Sequence, residues 1–387
     1  MQTDQLFAPP AHRPGRTAPR SPAPCFHGGT FFKAVGEKFE TLERSAEIIN
    51  ADVLDAWFPP SPKVLAALTQ YLPWLLRTSP PADGAGLVET IAEARGVAPE
   101  NILPGAGSSD LIFRALREWL TPASRALILD PTYGEYAHVL ELVIGCAVER
   151  FPLARETLYR ADPSRLASAL RQGYDLVVLV NPNSPTGQHI PRTVLEKILR
   201  DIPRRTRVWI DETYLEYAGE NESLESFAAR SENVIVCKSM SKVYALSGTR
   251  VAYLCAGTQP LETLRAITPP WVVSLPAQVA AVHALRDSDY YAARHRETHA
   301  LRGNLVDELR SLGWEIIPGI ANFLLCHLPS TGPGAAIVVR ACAAQKLFLR
   351  DAAAMGAALG GRVIRIAVKD AATNAKMVRI IRSVIRA

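Results

Sequence analysis

Residues 233–250 read NVIVCKSMSKVYALSGTR. The run NVIVC is short, mostly apolar and β-branched, the composition of a strand covered on both faces. It gives way at once to lysines, serines, a glycine, a threonine and an arginine, with Lys242 and Arg250 eight residues apart. Small residues beside a lysine also describe an exposed turn, so the stretch is decided by what surrounds it. Three more runs share its form: ALILD (126–130), DLVVLV (175–180) and RVWID (207–211). Each is followed by small or polar residues and then a helical stretch. PKVLAALTQYLPWLL and GLVETIAEARGV carry apolar residues at helical spacing. Apolar strands alternating with helices predict a mostly parallel sheet with helices on both faces.

The pattern changes after AITPPW. Residues 277–313 read as one long helix or two in series. WEIIPG, ANFLLCHL, KLFLRD and RVIRIAVKD then give short strands of a separate small sheet, and AKMVRIIRSVI a closing helix. The division expected is a disordered tail over 1–26, a segment over 27–59 packing with the small domain, a large α/β domain over 60–275 and a small α+β domain over 276–387.

The totals fit two packed lobes. The chain has 387 residues, 48% hydrophobic and 21% charged, a globular composition at a length beyond one ordinary core. The net charge of +5 is scattered, with no sustained Lys/Arg run, so nucleic-acid binding is not read from it. Residues 266–285 form the longest uncharged stretch but contain three prolines and a histidine, a poor membrane span. The six cysteines show no metal or CxxC spacing, so no metal is expected. Free thiols in a reducing compartment, and hence a cytoplasmic protein, are expected. The first residues are acid-poor and contain arginines, as transit peptides do, but six prolines within the first 24 residues forbid an amphipathic helix.

Three predicted strands end in chemically loaded text: DLVVLV in NPNSPTG (181–187), RVWI in DETY (211–214), NVIVC in KSMSK (238–242). Ligands of open parallel sheets bind beyond the carboxyl ends of the strands. A lysine amine there can bind an aldehyde cofactor such as pyridoxal phosphate. Asp211 fits the partner of the cofactor's ring nitrogen and Tyr214 a donor to its ring hydroxyl. Arg250 offers a phosphate fork, and Gly105 to Ser109, leading into a helix, offer free N–H groups. Tyr133, in PTYGEY, offers a flat ring to cover the cofactor.

With these residues in place the chain, from about residue 45 onward, resembles the fold-type I pyridoxal-phosphate enzymes of the class I/II aminotransferase family. The resemblance is nearest to the histidinol-phosphate aminotransferase and threonine-phosphate decarboxylase branches. It implies an aspartate-aminotransferase-like fold with a seven-stranded large sheet, and a homodimer with shared active sites. It implies Lys242 as the Schiff-base lysine and proton carrier, Asp211 and Tyr214 as ring partners, and Tyr133 as stacking ring. Ser239, Arg250, Gly107, Ser108 and Ser109 become phosphate ligands. Arg365 becomes the fork for the substrate α-carboxylate and Arg350 a second substrate arginine.

The chain also departs from the family. Ser184 stands where an asparagine usually precedes Pro-Thr-Gly, leaving Asn183 as a possible substitute for that contact. LLRTSPPADGAGL lacks the usual tyrosine, and NADVLDAWFPPSP (50–62) replaces an Asn-Pro-Tyr-Gly-type stretch. HGGT (27–30) resembles a segment of the decarboxylases, with His27 a candidate substrate contact if the segment folds over the site, or a mere turn if it does not. The expectation is an aminotransferase acting on a polar or anionic amino acid, with a decarboxylase or another reaction at Cα as the alternative.

Overall fold

The runs at 126–130, 175–180, 207–211 and 233–237 lie side by side as parallel strands. In this computed structural model, which describes residues 28–386, they span Arg125–Asp130, Leu176–Val180, Arg207–Asp211 and Val234–Ser239. Three strands complete a seven-stranded sheet. Across it the order is Ile102–Gly105, Ala252–Cys255, Val234–Ser239, Arg207–Asp211, Leu176–Val180, Arg125–Asp130, Ala147–Pro152. Only the Ala252–Cys255 strand runs against its neighbours. The mostly parallel, helix-covered sheet expected from the sequence is therefore present. The tail expected over 1–26 lies outside the described residues.

Burial explains the sequence of these strands. Leu176–Val180 and Val234–Ser239 are buried at every position. Side chains alternate across a strand. Val177, Leu179, Val208, Ile210, Val234 and Val236 belong to the core on one face. Val178, Val180, Trp209, Ile235 and Cys237 belong to the core on the other. Each large aliphatic side chain so buried contributes about 1.5–3 kcal/mol.

The helix Pro62–Arg77 starts with Ser61, whose Oγ accepts from Val64 N, and with proline at its first position. It packs on Leu275–Leu285. The stretch 277–313 contains two helices in series, Leu275–Leu285 and Ser288–Arg310. The second sheet is antiparallel, in the order Arg350–Asp351, Val363–Ala367, Phe323–His327, Glu315–Ile317. Beside it Ile49–Asn50 pairs in parallel with Leu347–Phe348. Five cysteines of the described residues (Cys146, Cys237, Cys255, Cys326, Cys342) are free and buried.

Candidate active site

The parallel register pairs Val180 with Asp211 and Asp211 with Cys237. The carboxyl ends of three strands are thus level, and the residues just beyond them meet. A cavity of about 280 Å³ is lined by Ser184 from the first strand end, Asp211, Thr213 and Tyr214 from the second, and Ser239, Ser241 and Lys242 from the third. Ser108, Ser109, Tyr133, Arg250 and Arg365 line it too. Arg350 lies in an adjoining cavity of about 530 Å³ that shares Tyr133 and Arg365 with the first. His27 lies outside the described residues.

Lys238 and Lys242 are alike in the sequence but not in place. Lys238 is buried, with Nζ 2.8 Å from Glu216 and 3.5 Å from Glu212. Those carboxylates hold its pKa above the usual value against the opposing effect of burial. Lys242 is in the turn that follows. Its Nζ lies 2.7 Å from Asp55 Oδ1 and donates to Ser247 Oγ at 3.4 Å. Burial lowers its pKa, and Asp55 opposes that fall.

Asp211 is buried at the floor. Oδ2 accepts from the Tyr136 hydroxyl at 2.7 Å, and Oδ1 accepts from Thr213 N at 3.0 Å and Thr213 Oγ1 at 2.6 Å. Burial raises its pKa, and these neutral donors only partly offset the rise. Trp209 Nε1 donates to Tyr136 Oη at 2.8 Å and fixes the phenol. A desolvated carboxylate with neutral partners is suited to a cationic ring N–H. The Tyr214 hydroxyl is also buried, which raises its pKa. Its ring packs edge-on to Phe323, with centroids 5.2 Å apart.

Gly107 precedes the helix Ser108–Trp119 with φ +93°. A Cβ there would run into the Arg250 guanidinium. Glycine is therefore favoured here by the backbone angle, and it leaves the Arg250 guanidinium where it is. The free N–H groups of the helix start and the Arg250 guanidinium form a cradle for an anion. Near it Ser239 Oγ lies 3.0 Å from Ser241 Oγ. A buried carboxylate, a phenol, an amine and an anion cradle in one cavity fit pyridoxal phosphate.

Arg350 and Arg365 face each other as a cross-strand pair. Like charges so placed repel. Asp52 lies between them: Oδ1 is 2.6 Å from Arg350 Nε, and its backbone O accepts from an Arg365 terminal N–H at 3.0 Å. Arg365 also donates to Ser184 Oγ at 3.1 Å. Burial brings its pKa down to about 10. Gly28 and Gly29 lie on this group. Gly29 N donates to Asp52 Oδ2 at 3.2 Å, and a Cβ on Gly28 would strike Arg350 and Asp52. This part of HGGT is folded against the site.

Asn183 does not take over the contact of the missing asparagine. Its Nδ2 donates to Pro131 O and Thr186 Oγ1, each at 3.0 Å, and its Oδ1 accepts from Thr132 Oγ1 at 3.0 Å. It ties the turn together, and Ser184 alone faces the pocket. Sequence reading missed Asp52, Asp55, Tyr136 and Lys369, whose Nζ donates to Asp55 O at 3.4 Å. Only Tyr136 carried a signal, as the second tyrosine of PTYGEY.

The fold and the cavity together define a pyridoxal-phosphate enzyme of fold type I. The family description "Aminotransferase class I and II" matches residues 58–385. The chain is 30% identical over 356 residues to histidinol-phosphate aminotransferase 2 of Carboxydothermus hydrogenoformans, covering 90% of this chain and 95% of that one. Among solved structures it resembles a histidinol-phosphate aminotransferase from Sinorhizobium meliloti in complex with pyridoxal-5'-phosphate (TM-score 0.79, 23% identity, 93% and 98% of the two chains). It also resembles the L-threonine-O-3-phosphate decarboxylase of Porphyromonas gingivalis (TM-score 0.77, 22% identity, 88% and 100% of the two chains). The chain belongs to the class I and II aminotransferase family and is a pyridoxal-phosphate-dependent transaminase.

Proposed function

We propose that the enzyme moves the amino group of a polar or anionic amino acid to a 2-oxo acid. The observation that carries this is one cavity lined by an amine, a buried carboxylate and an anion cradle, with a paired arginine at its edge. Bound pyridoxal phosphate supplies an aldehyde and an electron-withdrawing ring. The chain supplies everything else. Lys242 would hold the aldehyde and would carry the proton at the substrate Cα. Asp211 would keep the ring nitrogen protonated, and Tyr214 and Ser184 would hold the ring hydroxyl. Tyr133 covers the ring. Gly107, Ser108, Ser109, Ser239 and Arg250 hold the phosphate. Arg365 forks the substrate α-carboxylate.

Arg350, with Gly28 and Gly29 packed on its ion pair with Asp52, would meet the far end of the substrate. The Asp52 carboxylate already neutralises Arg350, which favours a polar far end over an anionic one. Ser184, and the absence of a tyrosine from 75–87, set this pocket apart from one built for histidinol phosphate. We place the protein in the cytoplasm, where free thiols such as its buried Cys146, Cys237, Cys255, Cys326 and Cys342 persist.

The packing of Gly28 and Gly29 on the arginine pair favours one second reading, decarboxylation, because the decarboxylase-like segment is part of the site. Both reactions begin from the same bound amino acid and differ in which Cα bond stands perpendicular to the ring. Incubation with amino-acid pools and a 2-oxo acid, read by mass spectrometry, separates them. The expected product is the oxo acid of a polar amino acid. Carbon dioxide without an oxo acid product would replace the first reading by the second.

We further propose a homodimer. Leu65, Tyr71, Leu72, Trp74 and Leu76 of the helix Pro62–Arg77 are all exposed, Leu76 at 71%, more apolar surface than one helix normally leaves in water. Sedimentation is expected to give twice the chain mass at assay concentrations; active monomers would refute the shared site.

A further inference from the structure

Asp55 belongs to no motif, yet it touches the nitrogen on which the chemistry turns. We propose that Asp55 is a catalytic residue of this enzyme: its carboxylate keeps the Lys242 nitrogen protonated, both in the free amine and after that nitrogen has taken up the cofactor aldehyde. This rests on the reading of Lys242 as the cofactor-binding amine. A proton on the nitrogen makes the carbon it is bonded to a better target for an incoming amine.

The contact is built. The 2.7 Å ion pair joins residues 187 apart in sequence. Asp55 is presented by a segment fixed on both sides. Asp52 is bound to Arg350, and Val53 N donates to Asn50 Oδ1 at 3.1 Å. Asn322 Nδ2 donates to Leu54 O at 3.0 Å, and Trp57 Nε1 donates to Thr298 Oγ1 at 2.8 Å. Lys369 holds the Asp55 carbonyl from the far side. A carboxylate so placed has little freedom to leave when the cofactor arrives.

The charges around the pair determine what it can do. Arg365 and Arg250 face Lys242 and disfavour its proton, as burial does; Asp55 alone among its named neighbours favours it. Burial works against the Asp55 charge, but Lys242, Ser247 and Lys369 outweigh it and hold the carboxyl below its ordinary pKa. Lys369 is brought down to about 8 by burial, with Lys242 adding to the fall and Asp55 and Asp370 opposing it. Asp55 also bears on the Tyr214 phenol, whose pKa it raises. Removing Asp55 takes away the carboxylate in contact with the Lys242 nitrogen and leaves Arg365, Arg250 and Lys369 near it, with the Asp211 carboxylate in the same cavity unchanged, so its proton is lost at lower pH.

The test is the pH titration of the visible absorbance of the cofactor-loaded protein, which reports protonation of that nitrogen without turnover. In Asp55→Asn the midpoint is expected to fall by about one pH unit or more, the effect of removing an opposite charge within a few ångströms. Asp55→Glu should recover part of the shift. The Asp55 side chain is 36% exposed, so these changes leave the core intact; Asp55→Ser is the second variant. Midpoints in Asp55→Asn and Asp55→Ser equal to that of the unaltered protein overturn the proposal. If the variants take up no cofactor, acylation of Lys242 in cofactor-free protein near neutral pH is compared by mass spectrometry. Faster labelling in Asp55→Asn supports the proposal, and an equal rate overturns it. Borohydride fixation on Lys242 in the unaltered protein tests the underlying reading separately: label elsewhere would remove Lys242 from its role whatever the midpoints do.

Discussion

Lys242→Ala is expected to lose about a thousand-fold or more in turnover, because the proposed mechanism gives one side chain both the covalent and the proton-transfer duty. Among the described residues the two lysines nearby are engaged elsewhere. Lys238, four residues earlier, is buried against Glu212 and Glu216 and held there as a cation. Lys369 is turned onto the Asp55 carbonyl. Cofactor should still bind through the Arg250 cradle and Asp211, but borohydride should no longer fix it to the chain. Pre-steady-state turnover and intact mass check the two halves of this expectation. A variant retaining a tenth of the activity would contradict the assignment of Lys242.

Asp211→Asn should cost about 10²–10³-fold in kcat/KM, the scale of losing a preorganised charge in a dry site. Tyr214→Phe should cost about tenfold, the scale of one neutral hydrogen bond. The difference lies in what each group offers. Asp211 carries a formal charge, desolvated and aimed by Tyr136 and Thr213. An amide of the same shape keeps the size but not the charge, and its Nδ2 has no acceptor capacity for the Tyr136 O–H. Loss of folding is not the expected cause. Burial raises the folded-state pKa of Asp211, so its charged form costs stability at pH above its unfolded pKa, and the amide removes that cost. Melting curves separate the two effects. Equal losses in the two variants would contradict the roles given to them.

The central strands were legible because burial on both faces leaves only apolar residues along them, as in Leu176–Val180. The edge strand Ala147–Pro152 was not. Its residues are AVERFP, and all but Val148 and Phe151 are exposed, so neither a continuous run nor a clean alternation marks it. Ile102–Gly105 and Ala252–Cys255 are too short, at four residues each, to stand out from their surroundings. Within the site, Asp211 and Ser239 end strands, Ser184, Tyr214 and Lys242 follow them, and all could be read from that position. Asp52 and Asp55 could not. Their partners, Arg350 and Lys242, are joined to them only by tertiary folding, and an isolated aspartate in a proline-rich stretch reads as a turn.

The segment carrying those two aspartates behaves mechanically as a bracket fastened to the smaller sheet. Its strand Ile49–Asn50 pairs with Leu347–Phe348, Ala51 N donates to Phe348 O at 2.9 Å, and Ala367 N donates to Ala51 O at 3.0 Å. Asp52, Arg350 and Arg365 are therefore mounted on one body, and distances among them survive any tilt of that body. The contact from Asp55 to Lys242 spans to the other body, because Lys242 hangs from the large sheet. A tilt that opened the cleft would leave the arginine pair as it is and stretch the aspartate–lysine contact. That distance, together with the one from Arg365 to Ser184 Oγ, is a built-in gauge of how far the smaller sheet stands from the larger one.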